Sequence, residues 1–265
     1  MKTAANGKRQ GGFSLLELLV ATLIFLILSG AVFGLLDVSQ QRSQAESQTL
    51  SAFQEARLGL DQIVRDVNVA GYPAYNNYDP STIVPAVTKY VQSPIAWNPT
   101  YPGTPCTIGG SCTTPSGFDL IIETTIDPQN SPGVDWVRYQ LSGTTLFRGV
   151  AKKAAATDPA AATASTLVPF VQNVVNNVPG AQIAQIQAVY PSMFPGGTAV
   201  PVFALNCDTP AGMQACPAAG ASNSPLNIRD IEITLIVQAP QPDMQTGRLL
   251  LVELKGRGHR INPNQ

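Results

Sequence analysis

The sequence predicts an α+β protein, in which one long N-terminal α-helix, transmembrane in its first half, packs by its second half on an antiparallel β-sheet domain. Three observations carry that expectation. From Phe13 to Leu36 the chain is apolar apart from Glu17, and no proline occurs between Phe13 and Tyr72. Beyond Leu36 the pattern turns amphipathic, as a helix covering a sheet should. Past Tyr72 come short β-rich runs separated by glycine, proline and asparagine. The expected division is residues 1–12 as a leader, 13–36 as a membrane segment, 37–71 as the amphipathic continuation and 72–265 as an extracytoplasmic β-rich domain.

The leader carries Lys2, Lys8 and Arg9 but no apolar segment of its own. A secretory signal has the reverse arrangement, its apolar region being removed by cleavage after small residues. Here the apolar region would be kept. A helix from Phe13 to Leu36 spans about 36 Å, enough for a hydrocarbon core of about 30 Å. The basic residues ahead of it predict a cytoplasmic N-terminus and a single pass, with the rest of the chain across the membrane.

Glu17 needs an explanation, since an ionised carboxylate in a membrane segment costs a few kcal/mol unless it is paired. In one reading it sits near the helix start, partly hydrated and favoured by the positive end of the helix dipole. In the other, cleavage after Gly12 frees an amine on Phe13, and in a bundle of staggered helices the carboxylate of one subunit neutralises the amine of the next. Gly30 and Gly34 leave a second choice open: a G-x-x-x-G contact between membrane helices, or two weak helix positions that let the segment bend.

Gly12-Phe13-Ser14-Leu15-Leu16-Glu17 resembles the type IV prepilin cleavage and methylation motif, shared by pilins and by the pseudopilins of type II secretion. The resemblance implies a membrane aspartyl peptidase that cuts after Gly12 and methylates Phe13, with Glu17 supporting assembly. It also implies a pilin-like fold, other pilins or pseudopilins and an inner-membrane assembly platform as partners, contact with membrane lipid, and placement in the inner membrane or in a surface pilus. Major pilins usually carry a proline partway along this helix. Gly34 stands there instead, which points to a minor subunit.

Along the continuing helix, Leu50, Phe53, Leu60, Ile63, Val64 and Val67 share one broad face, while Arg42, Glu46, Glu55, Asp61, Arg65 and Asp66 supply the wet positions. Gly71-Tyr72-Pro73 ends it. The predicted helix is about 58 residues, roughly 87 Å, too long for an ordinary globular helix. The residues after it suffice for one sizeable domain. Only 12% of the chain is charged, and glycine and proline number 22 each, a composition that suits a loop-rich extracytoplasmic domain. The formal net charge is −1 and becomes more negative on loss of the leader, so a strongly basic nucleic-acid protein is not indicated. Contact with nucleic acid stays open.

Residues 72–117 read as a long surface excursion with one short strand at Ile83 to Val91. Strands are expected at Phe118 to Ile126, Val134 to Leu141 and Thr145 to Val150, the last two joined by Ser142-Gly143-Thr144. Ala151 to Ser165 is an alanine-rich loop or short helix, and Leu167 to Val178 fits strand or helix equally. Further strands are expected at Ala184 to Tyr190, Ala199 to Leu205, Ile228 to Val237 and Arg248 to Leu254. The alternation of Ile231, Ile233, Leu235 and Val237 makes the third of these the most regular.

Within these elements, Leu60-Asp61-Gln62-Ile63-Val64-Arg65-Asp66 with Ala70-Gly71-Tyr72 resembles the helix end of PilW-type minor pilins and of the minor pseudopilin J of type II secretion. Val137-Arg138-Tyr139-Gln140-Leu141, then Leu146-Phe147-Arg148, is similar to their central hairpin, and Ile228 to Val237 with Arg260-Ile261-Asn262 to their last strands. The resemblance implies a subunit that initiates or caps a pilus or pseudopilus.

The four cysteines allow three disulfide connectivities. The local one, Cys106 with Cys112 and Cys207 with Cys216, closes the shortest loops in a compartment that favours oxidation. A zinc site is the rival reading, although C-x-x-C pairs are missing and His259 is the single histidine. No metal, cofactor or catalytic residue is expected. His259 lies in a polar tail and reads as solvated, and no phosphate-binding loop follows a strand. A displayed binding module, for adhesion, DNA uptake or capture of a secreted substrate, is the alternative function. Tyr72, Tyr75, Tyr78, Tyr90, Trp97 and Tyr101 would be its contact surface, or else would pack against the sheet.

Overall fold

Helix α1 runs from Leu15 to Val69 in the computed structural model, which describes residues 14–79, 81, 85–243 and 246–261. No proline interrupts it, and Gly71 stops it with a positive φ of 95°, a conformation open to glycine without steric cost. The Gly71 N–H donates to the Glu123 carbonyl at 2.9 Å, which ties the helix end to the sheet. The chain divides into two compact units, Met1–Ser47 and Gln48–Gln265.

The described part of the first unit is helix. Its large apolar side chains face outward on every side, from Leu15 and Leu16 through Phe25 and Ile27 to Phe33 and Leu35. A helix apolar all round and unburied requires a non-aqueous surrounding.

The second unit is built on two antiparallel sheets where the sequence reading expected one. Strands β1 (Ile95–Ala96), β2 (Asp119–Thr124), β3 (Asp135–Ser142), β4 (Thr145–Lys152) and β5 (Val168–Val171) form the first sheet in that order. Strands β6 (Phe203–Thr209), β7 (Gly212–Ala215), β8 (Ile228–Gln238) and β9 (Leu251–His259) form the second, in the order β7-β6-β8-β9. The predicted hairpin is β3–β4, with Ser142 opposite Thr145 and Gly143 at φ 59° in the turn.

One core joins both sheets to the second half of α1. Ala56, Leu60, Ile63 and Val67 meet Leu120, Ile122, Val137 and Leu146 of the first sheet and Ile231, Ile233 and Leu235 of the second. The helix can lie close because Gly256 and Gly258 of β9 carry no side chain there. A Cβ on Gly258 would sit 2.5 Å from Val67 Cγ1, and one on Gly256 would sit 2.9 Å from Leu60 Cδ1. Leu50, expected on the buried face, is instead exposed.

Ala184 to Tyr190 is not a strand. Helix α3, Gly180–Gln187, occupies that region after Pro179, and Ile183 and Ile186 on its buried side pack with Phe194 against Ile236 of β8. A three-residue spacing of isoleucines is a helix period, and Ile236 has an apolar neighbour because a helix covers the second face of β8. The alanine-rich segment contains helix α2, Pro159–Ala164, whose N-cap Asp158 accepts from the N–H groups of Ala160 and Ala161 at 2.7 and 3.1 Å. Part of the expected strand at Ile83 to Val91 lies outside the described residues, and Val87–Lys89 forms a 3-10 turn.

Candidate functional site

Gly12 and Phe13, the predicted cleavage pair, lie outside the described residues. Glu17 lies in the first turn of α1. Its Oε2 accepts from the Ser14 N–H at 3.4 Å, and the Glu17 N–H donates to the Ser14 carbonyl at 3.0 Å. The carboxylate therefore answers backbone donors that a helix N-terminus leaves open. It remains exposed, as do the apolar side chains of the following turns. This helix is long and apolar enough to cross a membrane. Gly30 and Gly34 have open space where a Cβ would stand, so either could seat a neighbouring helix.

Within the second unit several charged side chains serve as internal fastenings. Asp66, predicted to be wet, is buried. Its Oδ2 accepts from the Tyr139 hydroxyl at 2.6 Å and from Arg148 Nη2 at 3.0 Å, and its Oδ1 from Gln62 Nε2 at 2.7 Å. Burial, and after it the Asp66 charge, raises the Tyr139 pKa against the pull of Arg148, so the hydroxyl stays protonated as a donor. The signal for Asp66 was present in the sequence: Ala56, Gly59, Leu60, Ile63, Asp66 and Val67 make one helical stripe, all buried.

Glu123 is fully buried and held by Trp136 Nε1 at 2.8 Å, Lys153 Nζ at 3.0 Å, the Gln92 N–H at 3.0 Å and the Tyr101 hydroxyl. Burial lowers the Lys153 pKa, and Glu123 opposes that fall. Trp97 and Tyr101 are buried here and stack edge-on, their ring centroids 4.8 Å apart. Residues 72–117 are thus only partly a surface excursion, and these two aromatics are unavailable as a contact surface. Tyr72 and Tyr75 remain exposed.

Arg138 makes a fork onto Asp119, with bonds of 2.9 and 2.6 Å, and its Nη1 donates to the Ala160 carbonyl at 2.9 Å, fastening α2 to the first sheet. His259 is exposed as expected but does not lie in a tail: it ends β9, with Nδ1 beside Asp230, which also pairs with Arg257. Burial alone would raise the Asp230 carboxyl, but these two partners outweigh it and hold the pKa below the usual carboxylate value. Among the described residues no three His, Cys, Asp or Glu side chains gather as a metal set. Cys106 is bonded to Cys112 across 4.9 Å between Cα atoms, and Cys207 of β6 to Cys216 just beyond β7 across 5.5 Å.

The prokaryotic N-terminal methylation motif matches residues 7–33. No curated protein matches the sequence. Among solved structures, a type IV-like pilin from Thermus thermophilus is similar over 80% of this chain and 97% of that one, at 11% sequence identity and a TM-score of 0.38.

Proposed function

We propose, for a chain that carries the N-terminal methylation motif of type IV prepilin-like proteins, the role of a minor pilin or pseudopilin: a structural subunit, not an enzyme, that helps initiate or cap a pilus or a type II secretion pseudopilus. Prepilin peptidase cuts between Gly12 and Phe13 and methylates the Phe13 amine. Residues 13–36 hold the subunit in the inner membrane, with residues 72–265 on the extracytoplasmic side. One observation carries the reading: Glu17 is a lone carboxylate at the head of an otherwise uncharged, outward-facing apolar helix, directly after the Gly-Phe junction. A carboxylate so placed has no partner of opposite charge on its own apolar segment. The amine of a neighbouring Phe13 supplies one.

Glu17→Leu tests this role. The substitution makes the helix more apolar, so membrane insertion and cleavage should persist. Incorporation into filaments with partner subunits should fall by about tenfold or more, the equivalent of losing an interaction of about 1.4 kcal/mol. Unchanged incorporation, read by co-purification with partner pilins, would remove the pairing role.

A further inference from the structure

At the end of the second sheet a cleft of about 490 Å³ is lined by Asp208, Thr209, Asn227, Arg229 and Arg260 among others. Arg260 is only 3% exposed, yet among the described residues its Nε and Nη1 have no hydrogen-bond partner. An unpaired buried guanidinium is costly. Asp66, Asp119, Glu123 and Asp230 each hold a basic side chain in a hydrogen-bonded ion pair, whereas Arg260 has none.

Backbone geometry keeps a second cation beside it. The Arg260 N–H donates to the Arg229 carbonyl at 3.1 Å, and both side chains line the cleft. Two of the uncharged side chains there are already engaged: Thr209 Oγ1 donates to the Gly212 carbonyl at 2.7 Å and Asn227 Nδ2 to the Ser222 carbonyl at 2.8 Å. Burial, then the neighbouring Arg229 charge, pushes the Arg260 pKa down to about 10 while Asp208 opposes the fall. At neutral pH the group is still a cation, held in an unfavourable setting that an anion would relieve.

We infer that this cleft is a carboxylate-binding site, in which Arg260 supplies the buried guanidinium and Arg229 the outer cation. Two arginines and one aspartate leave one positive charge to neutralise, which a monoanionic carboxylate does and a phosphate dianion overshoots. A guanidinium fork matches the planar two-oxygen acceptor bidentately. The carboxylate is either that of a free small molecule or an acidic side chain of a second copy of this chain.

The test uses the full-length protein in detergent, with N-acetylglutamate amide as the monocarboxylate probe and inorganic phosphate as the comparison, by titration calorimetry and thermal melting. The wild type should bind the amide saturably, more tightly than phosphate, and melt higher in its presence. Arg260→Met keeps apolar bulk without the charge. It should weaken amide binding at least about tenfold while melting no lower than wild type without ligand, because an unpaired buried cation has been removed. Arg260→Lys and Arg229→Met, which disturb packing less, should also weaken binding. Wild type without saturable amide binding, phosphate bound more tightly than the amide, or variants binding within about twofold of wild type would overturn the assignment. Light scattering distinguishes the sources: if the amide dissociates self-associated protein, the occupant is a side chain of a second copy, and if binding leaves the mass unchanged it is a free carboxylate.

Discussion

Asp66 shows what a single residue does in this protein. Three donors from α1, β3 and β4 converge on one buried carboxylate, so the charge that disfavours burial also defines how the helix sits on the hairpin. Asp66→Ala should destabilise the second unit by about 2 to 4 kcal/mol, since it strands the Tyr139 hydroxyl and Arg148. Arg148 retains some solvent contact, which keeps the loss below the top of the range for a fully buried pair. Tyr139→Phe removes one bond and leaves the ion pair, so it should cost about 1 to 2 kcal/mol. Thermal unfolding of the full chain, followed by circular dichroism, measures both. Equal effects from the two variants would mean that the ion pair contributes nothing. Which charges would be buried was legible only in part: Asp66 stands on the apolar stripe of its helix, but nothing near it in sequence names Tyr139 or Arg148, which lie 73 and 82 residues away.

Elements repeat that division between local and distant information. β8 was legible because Ile231, Ile233, Leu235 and Val237 alternate through its middle and end, and β3–β4 because Gly143 marks a short turn between two β-rich runs. α3 was misread because its eight residues are too few to show a full helical pattern, although Pro179 and the spacing of Ile183 and Ile186 were signals available for it. The division of the nine described strands between two sheets was not legible, because it depends on which strands meet across distant parts of the chain. Gly256 and Gly258 belong to the same class. In sequence they are two weak strand positions, and only the contact with Leu60, Val64 and Val67 explains them. Gly258→Ala should push α1 away from β9 and lower stability by about 1 to 3 kcal/mol, visible as a lower melting temperature of the full chain. An unchanged melting temperature would mean that the helix is not seated against this strand.

At the scale of the whole molecule, the two compact units place their apolar side chains differently. Those described in the first lie exposed, while those of the second are enclosed by α1 and two sheets. A chain beginning at Ala45 should therefore be soluble and unfold cooperatively. One beginning at Tyr72 lacks Ala56, Leu60, Ile63 and Val67, uncovers the core they complete, and should aggregate or lose its cooperative transition. If the shorter chain were as stable as the longer one, α1 would be an anchor with no part in the fold. The N-terminal assignment was the most legible part of the chain, because a basic leader, a Gly-Phe junction, one glutamate and an apolar helix are all local in sequence. The proposed assembly role depends on it, since the Phe13 amine that would pair with Glu17 exists only after cutting at that junction. Mass spectrometry of the N-terminus of membrane-extracted protein tests it most directly. The expected result is a chain beginning at Phe13 with a methylated amine; a chain still beginning at Met1, from cells with an active prepilin peptidase, would contradict it.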